Sequence, residues 1–184
     1  CELLQETACL TEDEISLESY LRLIKRLDVP DALLEQHYIF CDESYARNLI
    51  FVTPRFEMLV MCWQPGQFSK VHDHLDSFAV IKVLKGTLSN VNYKINKGDI
   101  VTADQLEDSD LETPLEVVNE DLIPSNSWLS LDQGAIHKMG NHVNSGEQLI
   151  TLHFYAKPLR EVYYYFPDED RRERKKLIYS MLNF

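Results

Sequence analysis

The pair His72-x-His74, taken together with Gly134-x-x-His137 far downstream, is the feature that most constrains the fold of this chain. Side chains alternate along a β-strand, so a His-x-His pair in a strand places both imidazoles on one face. A third histidine that follows a glycine can complete a set of three neutral nitrogen donors. Three imidazoles that face one point make a transition-metal site with open coordination positions.

The pattern of the remaining chain favours a mostly β fold. From about residue 39, short β-type runs are separated by turn residues, including Pro65-Gly66 and the hairpin signal at 96–99. The runs cover residues 48–52, 56–62, 77–84, 87–95, 127–131, 135–138 and 147–155. Many short strands at near-regular spacing predict a closed or double-sheet antiparallel barrel. The polar and acidic stretch 104–126 has only a modest strand signal, and we interpret it as an insert.

Helices are predicted at both ends of the chain. Thr11-x-x-Glu14 is a capping box, and the apolar stripe that follows it predicts a helix over 11–27, with a second short helix from Pro30 to Gln36. In the tail, acids precede bases, an order that matches the helix dipole. We therefore expect one domain over 1–184, with an N-terminal helical segment (1–38), a β-barrel (39–166) and a C-terminal helix (167–184).

Charge and cysteine content narrow the class of protein. The 184 residues carry a formal net charge of -12, which argues against binding to nucleic acid or to anionic membranes. No apolar run is long enough to span a bilayer. The four cysteines form no C-x-x-C pair, and Cys62, within an apolar run, is predicted to be a buried free thiol. We expect a cytoplasmic protein, and a monomer.

The two histidine segments resemble the two motifs of the cupin superfamily. Gly66, His72, His74 and Gly86 stand at the offsets of the first motif, but Ala79 occupies the position of its usual glutamate. Gly134-x2-His137-x3-Asn141 resembles the second half of the second motif. The resemblance implies a metal on three histidines without a carboxylate. The alternative is that His72 and His74 are hydrated loop residues and His137 is a hydrogen-bonded strand residue.

Further segments resemble the cysteine dioxygenase family, the thiol dioxygenase branch of the cupins. Tyr45-Ala-Arg47-Asn48 is similar to that family's Tyr-x-Arg-Asn segment, and Cys62-Trp63 precedes the His-x-His turn as it does there. Thr151-Leu-His153-Phe-Tyr155 is similar to its Ser-x-His-x-Tyr segment. The resemblance runs from about Tyr45 to Tyr163. It implies a cupin-type antiparallel β-barrel, also described as a double-stranded β-helix or jelly roll.

The resemblance also implies a reaction and a set of roles. Fe(II) would be held by three histidine ligands, and L-cysteine would be oxidised with O2 to cysteine sulfinic acid. Arg47, with Tyr45, would bind the substrate carboxylate, and His153 and Tyr155 would shape the oxygen side. In mammalian members a cysteine at the position of Ala79 is cross-linked to the tyrosine. Ala79 cannot form that thioether, so the chain is more similar to the uncross-linked bacterial type.

Other interpretations of the same residues stay open. Without the resemblance, Arg47 is explained by a salt bridge to an acidic residue, and the stripe of Thr151, His153 and Tyr155 by an internally satisfied hydrogen-bond network. Imidazole donors also suit zinc, nickel or copper, so iron comes from the resemblance alone. The substrate can be another small thiol such as 3-mercaptopropionate, although relatives specific for it tend to carry Gln at the position of Arg47. A third possibility is a cupin that binds metal without turnover.

Overall fold

The computed structural model describes residues 16–27, 29–96, 100–101 and 113–180. The predicted Thr11–Glu14 capping box lies outside these residues. Helix α1, Leu17–Ile24, instead begins at Ser16, whose hydroxyl accepts the Ser19 N–H at 3.2 Å. Helix α2, Asp31–Glu35, follows Pro30 as predicted. No helix of the described residues has the length and apolar character needed to cross a membrane.

Twelve strands among the described residues form two antiparallel sheets, which confirms the predicted mostly β class. They are β1 (Ala46–Val52), β2 (Glu57–Trp63), β3 (Val71–His72), β4 (Phe78–Lys85), β5 (Thr87–Asn96), β6 (Ile100–Val101), β7 (Leu115–Pro124), β8 (Trp128–Leu131), β9 (Ile136–Gly140), β10 (Leu149–Ala156), β11 (Glu161–Phe166) and β12 (Arg171–Lys176). The first sheet has the order β1-β2-β10-β4-β8. The second has the order β12-β11-β3-β9-β5-β6, with β7 also paired to β5. Within the described part of the chain the sheets do not close into a single cylinder.

The first sheet is buried on both faces. On one face, Ile150, Leu152 and Phe154 of β10 pack in a cluster that includes Tyr20 and Ile24 of α1. The other face lines the interior between the sheets and carries its own cluster, to which β2 and β4 contribute. Since alternate residues of β10 point in opposite directions, Thr151, His153 and Tyr155 share the interior face. Cys62 of β2 is buried and free, as predicted.

The predicted C-terminal helix is wrong for residues 171–176. They form β12, which pairs with the aromatic strand β11, after a 3-10 turn at Pro167–Glu169 and a left-handed Asp170 (φ 47°) that reverse the chain. The order of acids and bases fits a helix dipole, but here the segment pairs with the backbone edge of β11 and satisfies its N–H and C=O groups. The Arg172 side chain also packs on β11, with its guanidinium 4.0 Å from the centre of the Tyr163 ring.

The stretch 104–126 contains a regular element that its composition conceals. Its residues 115–124 form β7, which pairs with β5 along most of its length. Most β7 side chains are exposed, among them Val117 and Leu122. An exposed strand carries few of the alternating apolar residues by which strands are predicted from sequence.

We expect Gly140→Ala to destabilise the protein by about 2 kcal/mol or more. Gly140 ends β9, three residues after His137, and an added Cβ would lie 2.3 Å from the Gln67 carbonyl oxygen and 2.7 Å from the Phe68 Cα. Urea denaturation measures the free energy of unfolding. The control is Gly146→Ala, which has open space but a left-handed φ of 70° and should cost only about 1 kcal/mol. Equal losses in the two variants would contradict the role given to close approach at Gly140.

Candidate metal centre

His72, His74 and His137 converge at the point where β3 lies beside β9. His72 is the direct antiparallel partner of His137, and His74 follows two residues later on the same face. The ring centres lie 4.6 Å (His72–His137), 4.9 Å (His74–His137) and 5.3 Å (His72–His74) apart. One ligand atom from each residue falls within 4.8 Å of the other two. The predicted set of three imidazoles is therefore brought together.

Hydrogen bonds to the outer ring nitrogens turn the inner nitrogens toward one another. His72 Nδ1 donates to the Lys70 carbonyl oxygen at 2.9 Å, and His137 Nδ1 donates to Asn90 Oδ1 at 2.7 Å. With Nδ1 protonated in a neutral ring, Nε2 carries a lone pair. His137 Nε2 lies 3.0 Å from His74 Nε2. A cation bound between these nitrogens would accept their lone pairs. In metal sites generally, a histidine ligand donates its other ring N–H to a protein acceptor, which fixes the tautomer and the orientation of the ring.

Burial keeps these imidazoles neutral. It lowers the pKa of His72 to about 4, and it holds the pKa of His74 and of His137 well below the usual value for histidine. Within the described residues, His74 Nδ1 is buried without a hydrogen-bond partner. The donor set fits a divalent transition metal that accepts three nitrogen ligands and keeps open positions.

Asp73 fixes the end of the short strand β3, between His72, which is in the strand, and His74, which follows it. Its buried carboxylate accepts the Tyr163 N–H at 3.0 Å and the Tyr165 hydroxyl at 2.9 Å, both from β11. Because β3 has only two residues, these bonds supply attachment that its own ladder cannot. The His72 and His74 side chains are thereby held on one side of the strand and Asp73 on the other.

A chain of hydrogen bonds runs along the interior face of β10. His153 Nδ1 lies 3.1 Å from the Tyr155 hydroxyl, and His153 Nε2 lies 2.8 Å from Thr151 Oγ1. Trp63 Nε1 donates to the same threonine hydroxyl at 3.0 Å. The Tyr155 ring stands edge-on to His74, with centres 5.6 Å apart. Burial lowers the pKa of His153 and raises that of Tyr155, so both side chains are neutral.

Ala79 lies directly across from Tyr155 in the pairing of β4 with β10. The side chain is a buried methyl group, which offers neither a metal ligand nor a sulfur atom. A fourth protein ligand of the usual cupin kind is therefore not supplied from this position.

Arg47 is a buried guanidinium with unused donors. Only 7% of the residue is exposed, and among the described residues neither its Nε nor its Nη2 has a hydrogen-bond partner. Glu57 lies nearby, with Oε1 3.6 Å from Arg47 Nη2, so the predicted salt bridge exists but is longer than a hydrogen bond. A buried cation with free N–H groups is a suitable anchor for a carboxylate.

A cavity of about 350 Å³ opens beside Arg47. Tyr45 and Tyr164 form part of its wall, and Lys70, Leu177 and Ser180 also line it. Tyr45 stacks on Trp63 with ring centres 4.3 Å apart, and Tyr164 stands edge-on to His72 at 6.5 Å. The cavity thus reaches the guanidinium, and one of its wall residues contacts the histidine group.

Comparison with known proteins assigns the family. The sequence model described as cysteine dioxygenase type I matches residues 5–168. The chain belongs to this family. It is 25% identical over 154 residues to cysteine dioxygenase type 1 of Rattus norvegicus, covering 79% of this chain and 68% of that protein. The protein of the same name from Danio rerio is 26% identical over 123 residues, covering 66% and 55%.

Solved structures show more distant likeness. A protein from Thermus thermophilus aligns with a TM-score of 0.48 and 21% identity, over 71% of this chain and 98% of that one. A double-stranded β-helix protein from Klebsiella pneumoniae aligns with a TM-score of 0.47 and 14% identity, over 72% and 84%. Family membership supports a dioxygenase of the cupin superfamily, and the three-histidine group fits its metal site.

Sequence reasoning missed several residues around the site. Asn90 and Asp73 were not recognised because their partners are remote in sequence. Trp63 and Tyr164 are aromatic residues that the sequence alone does not distinguish from core packing, yet the first donates to Thr151 and the second lines the cavity. Glu57 did carry a signal, since it is the single acid inside the apolar run 56–62.

We expect the affinity of the three-histidine group for Co²⁺ to change by no more than about threefold between about pH 8 and about pH 6. Histidines of ordinary pKa would begin to take up protons in this range, and the protons would compete with the metal. Here burial has lowered the pKa of all three, so competition begins only at lower pH. Calorimetric titration across the range measures the affinity.

The variant His142→Asn serves as the control for that titration, because His142 is an exposed histidine outside the group. A steep loss of Co²⁺ affinity through about pH 6.5, present in both proteins, would contradict the neutral state assigned to the buried rings.

Proposed function

We propose that this chain is a thiol dioxygenase that holds Fe(II) on His72, His74 and His137 and oxidises L-cysteine with O2 to cysteine sulfinic acid. The observation that carries the proposal is the pairing of three inward-facing neutral imidazoles with a buried guanidinium whose Nε and Nη2 are unpaired among the described residues. Membership of the cysteine dioxygenase family supports the reaction class. We further propose a cytoplasmic monomer, as expected from the sequence.

Arg47 has the role of binding the substrate carboxylate. Its unpaired N–H groups present donors in a fixed plane, which suits a carboxylate better than a point charge does. Tyr45, beside it in the cavity wall, offers a hydroxyl to the same group. Holding the carboxylate at this end leaves the thiol and the amine of cysteine free to face the histidines.

His153 and Tyr155 have the role of holding a proton donor beside Arg47, whose side chain also interacts with the Tyr155 hydroxyl. The Thr151 hydroxyl and His153 Nε2 form a hydrogen bond with each other, and His153 Nδ1 can donate to the Tyr155 oxygen. The Tyr155 hydroxyl then keeps its own proton for a group bound near His74. Because burial raises the pKa of Tyr155, the proton stays on the phenol at neutral pH.

Bound iron supplies the redox chemistry that joins the thiol sulfur to dioxygen. The reaction balances without another reductant, because the thiol and one O2 together have the composition of the sulfinic acid. The chain contributes orientation and hydrogen bonds, and three neutral ligands leave the full positive charge of the metal to attract an anionic thiolate.

We expect iron-loaded protein, mixed with L-cysteine under nitrogen and then exposed to air, to consume one O2 for each cysteine sulfinic acid formed. Mass spectrometry identifies the product and an oxygen electrode measures uptake. His74→Ala should abolish turnover because it removes one of the three ligands. If the metal-loaded protein consumes oxygen with neither cysteine nor 3-mercaptopropionate, the result would favour a cupin that binds metal without turnover.

We expect Arg47→Gln to raise KM for L-cysteine by about 10- to 100-fold, because it removes a charged hydrogen-bond donor to the carboxylate. KM for cysteamine, which has no carboxylate, should change by no more than about twofold. Steady-state oxygen uptake provides both constants. Arg22→Gln, an exposed arginine in an ion pair with Glu18, is the control. A similar rise for both thiols would show that Arg47 supports the fold and does not select the carboxylate.

A further inference from the structure

Glu57 is a fully buried carboxylate next to Arg47, which lines the cavity. It is 0% exposed and lies on β2 directly across from Tyr155 of β10, so both side chains point into the interior. Its Oε2 accepts the Leu159 N–H at 2.8 Å. A buried carboxylate in an otherwise apolar strand is costly unless a cation compensates for it. The family resemblance assigned no role to this residue.

Arg47 is the cation that forms an ion pair with Glu57, and the distance between them matters. The positive charge of Arg160 also acts on Glu57, to a smaller extent. Glu57 Oε1 lies 3.6 Å from Arg47 Nη2, so the two charges attract each other without a hydrogen bond. Neither atom has a hydrogen-bond partner among the described residues. The guanidinium is therefore partly neutralised, yet its Nε and Nη2 keep their donors free among the described residues, while the side chain also interacts with the Tyr155 hydroxyl. Burial raises the pKa of Glu57, and the positive charge of Arg47 opposes that rise.

Two consecutive residues near the end of the described chain hold this pair in place. The Tyr179 side chain interacts with the Glu57 carboxylate and helps to lower the pKa of Glu57. Ser180 Oγ accepts the backbone N–H of Arg47 at 2.8 Å, and the backbone N–H of Ser180 donates to the backbone carbonyl oxygen of Arg47 at 2.9 Å. The separation between guanidinium and carboxylate is thus fixed from the strand side and from the C-terminal side.

We propose that Glu57 is a specificity-determining residue, a fixed counter-charge that weakens the hold of Arg47 on a substrate carboxylate. A carboxylate bound at Arg47 is brought close to a second buried negative charge, and like charges in a site of low dielectric repel each other strongly. Affinity for carboxylate-bearing thiols is therefore set below what Arg47 alone would give. The inference rests on the proposed role of Arg47 and adds what limits it.

The test is Glu57→Gln, which keeps an oxygen acceptor for the Leu159 N–H but removes the charge. Calorimetric titration of the iron-loaded protein under nitrogen measures binding of propionate, L-cysteine and cysteamine. We expect propionate and L-cysteine to bind about 10-fold more tightly than to the unaltered protein, while cysteamine changes by no more than about twofold. The matched control is Glu116→Gln, whose carboxylate pairs with Lys94 at the surface.

Propionate separates this inference from the proposed reaction, because it probes Arg47 without a thiol. Tighter propionate binding in a protein that oxidises no thiol would sink the proposed function and keep the inference. Cysteine oxidation with unchanged or weaker propionate binding in Glu57→Gln would overturn the inference alone. If Glu57→Gln does not fold, Glu57→Asn, which also removes the charge, replaces it. It should tighten propionate binding in the same direction, and no tightening overturns the inference.

Discussion

The arrangement of the site depends on how a strand of two residues is held in place. Strand β3 lies between β11 and β9, so His72 meets Tyr164 on one side and His137 on the other. A ladder this short is weak by itself, and the Asp73 carboxylate adds two hydrogen bonds to β11. Without that attachment, the two histidines of the His-x-His pair would not keep a common direction, and His137 would have no partner ring at 4.6 Å.

Charge is distributed unevenly around the interior. The histidine group and the chain of hydrogen bonds on β10 are neutral, because burial opposes every protonated imidazole there. Arg47, which lines the cavity, and Glu57 form a buried charge pair, with Glu57 Oε1 3.6 Å from Arg47 Nη2. A neutral ligand set retains the full charge of a metal, and a partly compensated guanidinium leaves room for a further anion. The interior thus holds a neutral set of nitrogen donors at the histidine group and a partly compensated cation in the wall of the cavity.

The sequence predicted what depends on local spacing and failed where remote partners decide. His72, His74 and His137 stand at recognisable offsets from glycines, and all three of these glycines have positive φ angles that other residues adopt with strain: Gly66, Gly86 and Gly134. The segment 171–176 was mistaken for a helix because charge order is visible in sequence, whereas its pairing with β11 is not. Asn90 acts on a partner on another strand, so no local pattern identifies it. Glu57 stands out locally as an acid in an apolar run, but the run does not reveal its partners.

Strand β10 explains how one segment can serve both stability and chemistry. Its residues alternate, so Ile150, Leu152 and Phe154 face the helices, while Thr151, His153 and Tyr155 face the histidine group. Each polar atom on the inner face has a partner on the same strand or on Trp63, which removes the cost of burying it. The apolar face fixes the strand, and the fixed strand sets the position of the Tyr155 hydroxyl. The polar stripe inside the protein is therefore stable for two reasons. Its polar atoms are hydrogen-bonded, and the opposite face of the strand is wholly apolar and packed.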